Sequence, residues 1–167
     1  MDIFEFVATY DFSPYLCVPA ALEFRKKTCG GEAAIRRYCD EVARRGGART
    51  AEILGTEVLG DGFEGSRMRE CSFANVRLPL IFVADGDREK EGNVNVKEFE
   101  AKDAGKIGKW INATAFKEFD TYLQIAFHAN TMLVRLSGQI YLEVGDFEWV
   151  GYRLKELCER VEKGEVR

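Results

Sequence analysis

Two stretches of helically spaced apolar residues bracket a strand-like middle, and this order constrains the fold more than any other feature of the sequence. From Glu32 onward, Ile35, Tyr38, Cys39, Val42, Ala43, Leu54 and Val58 keep an approximate helical period, while Arg36, Arg37, Glu41, Arg44 and Arg45 fall largely on the other face. One long amphipathic helix or two in succession are predicted; Gly46-Gly47 leaves the choice open, since two glycines cost about 2 kcal/mol of helix propensity relative to alanine. Near the end of the chain, Phe147, Val150, Leu154, Leu157, Cys158 and Val161 form a stripe on a last helix. Asp146 is expected to cap it, with Arg160 and Lys163 near its negative C-terminal end. In between, Phe73, Val76, Leu78 and Leu80 to Val83 are strand-like, and Pro79 breaks them in a way that suits an edge or a bulge. Ala113 to Phe119 reads as a short helix. Tyr122 to Phe127 and Met132 to Leu136 read as a hairpin joined by His128-Ala129-Asn130-Thr131. Strand-helix-strand alternation is missing after residue 60. An α+β fold is therefore expected, a small antiparallel sheet with long helices packed on one face.

The chain has 167 residues, 46% of them hydrophobic, enough for one domain that buries roughly two-thirds of its unfolded surface. Residues 1–167 are read as that single domain. Residues 1–12 hold a short strand, Ile3 to Val7, entering a turn, and residues 13–60 are helical. Ser13 is expected to cap a first helix with Pro14 at its first position, which carries Leu16, Ala20, Ala21 and Phe24 and ends at Gly30-Gly31. Residues 61–145 are the sheet region, in which 85–109, rich in Gly, Asp, Lys and Glu, is expected to be a mobile loop. The last helix takes residues 146–167. A net charge of −4 gives no general attraction to nucleic acid or to an anionic membrane. Five cysteines without CxxC spacing or neighbouring histidines disfavour a metal site and a secreted disulfide framework. With no signal-like N-terminus and no run of roughly 20 apolar residues, a cytoplasmic chain with reduced cysteines is expected.

Among residues that could carry chemistry, Arg135 comes first. A guanidinium on a strand between Val134 and Leu136 can grip a carboxylate bidentately, and Ser137, Gln139 and Tyr141 lie close enough in sequence to complete a polar patch. The same arginine could face solvent or pair internally, for instance with Glu143. His128, the only histidine, is a weak candidate general base at the hairpin. Cys71 beside Glu70 is a poor nucleophile, because an adjacent carboxylate raises a thiol pKa. The arginines at 36, 37, 44, 45 and 49 alternate with Glu32, Asp40, Glu41 and Glu52, as on a salt-bridged helix face.

Three segments taken together resemble the isopenicillin N epimerase-like branch of the class V aminotransferases, which are pyridoxal-phosphate enzymes. They are Phe6-Val7-Ala8-Thr9-Tyr10-Asp11-Phe12-Ser13-Pro14-Tyr15-Leu16, Pro19-Ala20-Ala21-Leu22-Glu23-Phe24 and Val134-Arg135-Leu136-Ser137-Gly138-Gln139-Ile140-Tyr141-Leu142. Asp146 to Cys158 is similar to that family's last helix. The resemblance implies the small C-terminal domain that closes over substrate, with Arg135 binding the substrate carboxylate and Thr9 reaching a cofactor phosphate across a subunit interface. Ala8 stands where the family favours glycine, which narrows the approach to that phosphate. The family's Schiff-base lysine lies upstream of any segment matched here, so no pyridoxal phosphate is expected on this chain alone and classical catalysis by it is not expected. The functional expectation is a derivative of the small domain that acts as a degenerate binding module or as the trans-acting half of a larger enzyme, through self-association or a complementary chain. The alternatives are a cofactor-independent enzyme acting on an amino-acid-like carboxylate, and a truncated piece of a full-length enzyme.

Overall fold

The computed structural model describes residues 11–60, 66–68, 70–84 and 97–166. The strand expected at Ile3 to Val7, and Thr9 with it, lie outside the described residues. The chain forms two compact units, Met1–Arg37 and Tyr38–Arg167.

In the first unit the expected single helix is two: α1 (Ser13–Leu16) and α2 (Val18–Lys27), separated at Cys17. Pro19 lacks the N–H that a continuous helix would donate to the Tyr15 carbonyl, so the ladder breaks there. Ser13 is the first helical residue rather than the cap. Phe12 is the N-cap, and the Ser13 N–H donates to Asp11 Oδ1 at 2.9 Å. Gly30 and Gly31 take φ of 78° and 86°, the left-handed values that end α2 and redirect the chain into α3. Arg25 and Glu32 pair across that turn at 2.5 Å and 2.7 Å.

Helix α3 (Glu32–Leu54) runs unbroken through Gly46-Gly47. The two glycines serve close packing. A Cβ at Gly46 would sit 2.3 Å from the Phe147 ring, and one at Gly47 would sit 2.3 Å from the Ala74 Cβ. In the second unit, β1 (Phe73–Arg77), β4 (Gln124–His128) and β5 (Thr131–Ser137) form an antiparallel sheet in the order β1-β5-β4. Ala74, Val76, Met132, Val134 and Leu136 alternate onto the core face and are buried. The helices cover that face, as expected: α3, α4 (Ala104–Phe119) and α5 (Val144–Glu162) contribute Val42, Ile111, Leu154 and Leu157 to one core. The Thr50 hydroxyl, fully buried, donates to the carbonyls of Gly46 and Phe147 and ties α3 to α5.

Three expectations change. Of the two settings expected for Pro79, the edge holds and the bulge does not: it follows the edge strand β1 and ends the ladder. The Leu78 N–H still bonds the Met132 carbonyl at 2.9 Å, after which the proline has nothing to donate, and the chain leaves for β2 (Ile81–Val83). Strand β2 pairs in parallel with β3 (Glu98–Glu100), a second small sheet, and Phe82 packs against Phe99 and Phe127. Residues 98–109 are therefore not loop: β3, a 3-10 turn at Ala101–Asp103 and the first turns of α4 occupy them, while 85–96 lie outside the described residues. Helix α4 has sixteen residues rather than seven. Finally, Asp146 does not cap α5. Glu143 is the N-cap, and Asp146, three residues in, accepts the Glu143 N–H at 2.8 Å in a reciprocal capping box.

Candidate carboxylate-binding cleft

The β4-β5 hairpin closes on Ala129-Asn130, whose φ values of 47° and 54° are those of a two-residue turn matched to strand twist. Register then follows by counting back from the turn: His128 faces Thr131, and Gln124 faces Arg135. Arg135 projects from the sheet face opposite the core and is exposed. Its guanidinium lies 5.2 Å from the centroid of the Phe73 ring. An exposed contact of this kind is worth about 0.5 to 1 kcal/mol, and it steadies the side chain without using its N–H donors. Among the described residues no carboxylate pairs with Arg135; Glu143 is engaged in the capping box instead.

Arg135 lines a cleft of about 310 Å3 between the open end of the hairpin and the start of α5. Thr121, Tyr122, Gln124, Ser137 and Asp146 supply its other polar groups, and Leu123, Leu136, Leu142, Phe147 and Val150 its apolar wall. Two of the residues expected from sequence, Arg135 and Ser137, thus meet in one cleft. Gln139 does not line it: its carbonyl accepts the Leu142 N–H in the turn that follows β5. Tyr141, in that turn, is exposed and outside the lining as well. Gln124 and Tyr122 were missed by sequence reading, although a two-residue hairpin turn, once assumed, fixes Gln124 as the neighbour of Arg135.

No family model matches the chain. Two L-cysteine desulfhydrase-like proteins of Epichloe uncinata are 39% and 40% identical to it over 164 residues, 95% of the chain and 36% and 35% of their own lengths. Hercynylcysteine sulfoxide lyase of Schizosaccharomyces pombe is 24% identical over 148 residues, 89% of the chain and 30% of that protein. The chain is similar to proteins named for carbon–sulfur chemistry. It spans about a third of the length of the curated relatives it matches.

The other candidates sit elsewhere. His128 is at the closed end of the hairpin, four residues along β5 from Arg135, or about 13 Å. It lines a separate, smaller cavity of about 140 Å3 with Glu57, Arg77 and Leu133. The Cys71 thiol donates to the carbonyls of Met68 and Phe73 away from the cleft. Burial pushes the Cys158 thiol up to about 12, with Glu162 and Glu159 adding to the shift, so it is inert at neutral pH. Of the arginine run, Arg45 pairs with Glu41 at 3.6 Å, and Arg49 bridges Glu52 and Glu148 at 2.7 Å each. Those two carboxylates hold the Arg49 pKa above its ordinary value.

Pyridoxal phosphate needs a lysine within reach of the substrate. Every described lysine is exposed and none lines the Arg135 cleft, so these residues do not fit the cofactor's attachment point. Among the described residues no group of three or more His, Cys, Asp and Glu side chains converges on a metal position, and no helix is long and apolar enough to cross a membrane.

Proposed function

We propose that this chain provides the substrate-carboxylate wall of a carbon–sulfur lyase or desulfhydrase related to class V aminotransferases, with pyridoxal phosphate and its lysine held on another part of the enzyme. The observation that carries this reading is the exposed Arg135 guanidinium, without a carboxylate partner among the described residues and braced on Phe73, on a strand residue that borders a mainly apolar cleft together with Ser137. A guanidinium so placed can recognise a planar carboxylate through two parallel hydrogen bonds. The names of the relatives favour cysteine or a cysteine conjugate as the molecule bearing that carboxylate. Self-association, or docking on a cofactor-bearing chain, would bring the remaining chemistry to the cleft. The cleft lining contains no His, Cys or Lys, which favours a binding wall over an independent acid-base site.

Calorimetric titration with L-cysteine and with cysteamine, its decarboxylated analogue, tests the reading. The expected outcome is saturable binding of L-cysteine alone. Arg135→Lys should weaken it by about 1.5 to 3 kcal/mol, because an ammonium cannot reproduce the bidentate geometry. Equal responses to the two ligands, or an unchanged affinity in the lysine variant, would refute the assignment.

A further inference from the structure

We infer that Gln124, oriented by Tyr122, is a second group that recognises the carboxylate in the Arg135 cleft, an inference that rests on the carboxylate reading of that cleft. Gln124 is the direct cross-strand partner of Arg135. Antiparallel partners project to the same face with Cβ atoms about 4.5 to 5.5 Å apart, within reach of one small planar anion. Both residues border the same cleft. The Tyr122 hydroxyl donates to Gln124 Oε1 at 3.3 Å. That bond turns Oε1 toward Tyr122 and leaves the amide's two N–H donors for a ligand.

The chemistry of the pair defines the class of ligand head group. A carboxylate has about four lone-pair sites, and a bidentate guanidinium takes two of them. An amide N–H from the neighbouring strand meets a third. Arg135 offers donors alone and the Gln124 amide adds two more, so the site suits a head group rich in acceptors. Gln124 touches the ligand in this scheme; Tyr122 is a positioning residue that acts through it. Asp146 also faces the cleft, but one of its carboxylate oxygens is committed to the Glu143 N–H.

The test is an NMR titration of the full, isotope-labelled chain with L-cysteine and cysteamine in reducing buffer, with backbone spectra checking that each variant folds. The Gln124 side-chain amide signals are expected to shift saturably with L-cysteine and not with cysteamine. Gln124→Met should weaken L-cysteine binding about 10- to 100-fold, the equivalent of one hydrogen bond to a charged group. Tyr122→Phe should weaken it less, and adding Tyr122→Phe to Gln124→Met should cost nothing further, since the hydroxyl acts only through the amide. Gln124→Glu should weaken binding more than Gln124→Met, because it sets a competing carboxylate beside Arg135. If Arg135→Lys weakens binding while Gln124→Met leaves it unchanged, Gln124 has no such role and the carboxylate reading stands. If Arg135→Lys also leaves binding unchanged, both are overturned. A Tyr122→Phe loss that persists on top of Gln124→Met overturns the positioning role.

Discussion

Gly47 shows how one missing methyl group decides the course of a helix. Glycine inside a helix costs about 1 kcal/mol relative to alanine, yet α3 continues through two of them because β1 and α5 approach its backbone there. Gly47→Ala should therefore recover helix propensity and still lose stability, since the new methyl would lie 2.3 Å from the Ala74 Cβ and neither atom is the free end of a flexible side chain. Overpacking of this kind costs about 1 to 3 kcal/mol, so the net loss should be about 1 to 2 kcal/mol, read as a lower urea midpoint at constant slope. The double variant Gly47→Ala/Ala74→Gly should regain most of it. This constraint could not be read from sequence, because the residue that forbids the methyl lies on a distant strand. The strand position of Arg135 was legible for the opposite reason: period-2 alternation with the buried Met132, Val134 and Leu136 puts it on the face away from the core.

The elements that sequence reading recovered are those whose apolar period is long and regular, α3 and α5, and the hairpin, whose turn residues punctuate it. Helix α4 was shortened because its stripe is sparse. Only Ala104, Ile107, Ile111 and Ala115 are buried, and Gly105, Lys106, Gly108 and Lys109 between them give the segment a loop-like composition. Strand β3 has three half-buried residues, too few for a period to show, and its parallel pairing with β2 is a tertiary choice. The end of α4 is fastened to α5 by Arg160, which donates to both Glu118 oxygens at 2.8 Å and 3.1 Å and to Glu165 at 2.9 Å. The hydrogen bonds from Arg160 hold the Glu118 carboxyl below its ordinary value near 4.5, outweighing the opposing effect of desolvation. A carboxylate whose pKa falls on folding contributes stability at pH above its unfolded value and loses that contribution as pH drops through its folded value. Glu118→Gln should therefore be less stable than the parent at pH 7. The difference should shrink below pH 4.5 and close once the carboxylate is protonated in both states. A gap that stays constant from pH 7 to pH 3 in paired urea titrations would count against the linkage.

At the scale of the whole molecule, none of the described lysines lines the Arg135 cleft. A pyridoxal Schiff base requires an amine that is held beside the substrate and is partly desolvated, so that it is neutral often enough to attack the aldehyde. The described lysines are exposed: Lys27 pairs with Glu23, Lys97 donates to the Glu162 carbonyl at 2.8 Å, and Lys102 pairs with Glu100. Incubating the 167-residue chain with stoichiometric pyridoxal phosphate, reducing with borohydride and mapping the modified peptides should give only low labelling spread over several lysines. The same chain should release no sulfide from L-cysteine in the presence of the cofactor. Stoichiometric labelling of one lysine, together with sulfide release, would place the cofactor on this chain and turn the Arg135 cleft from a wall into a complete active site.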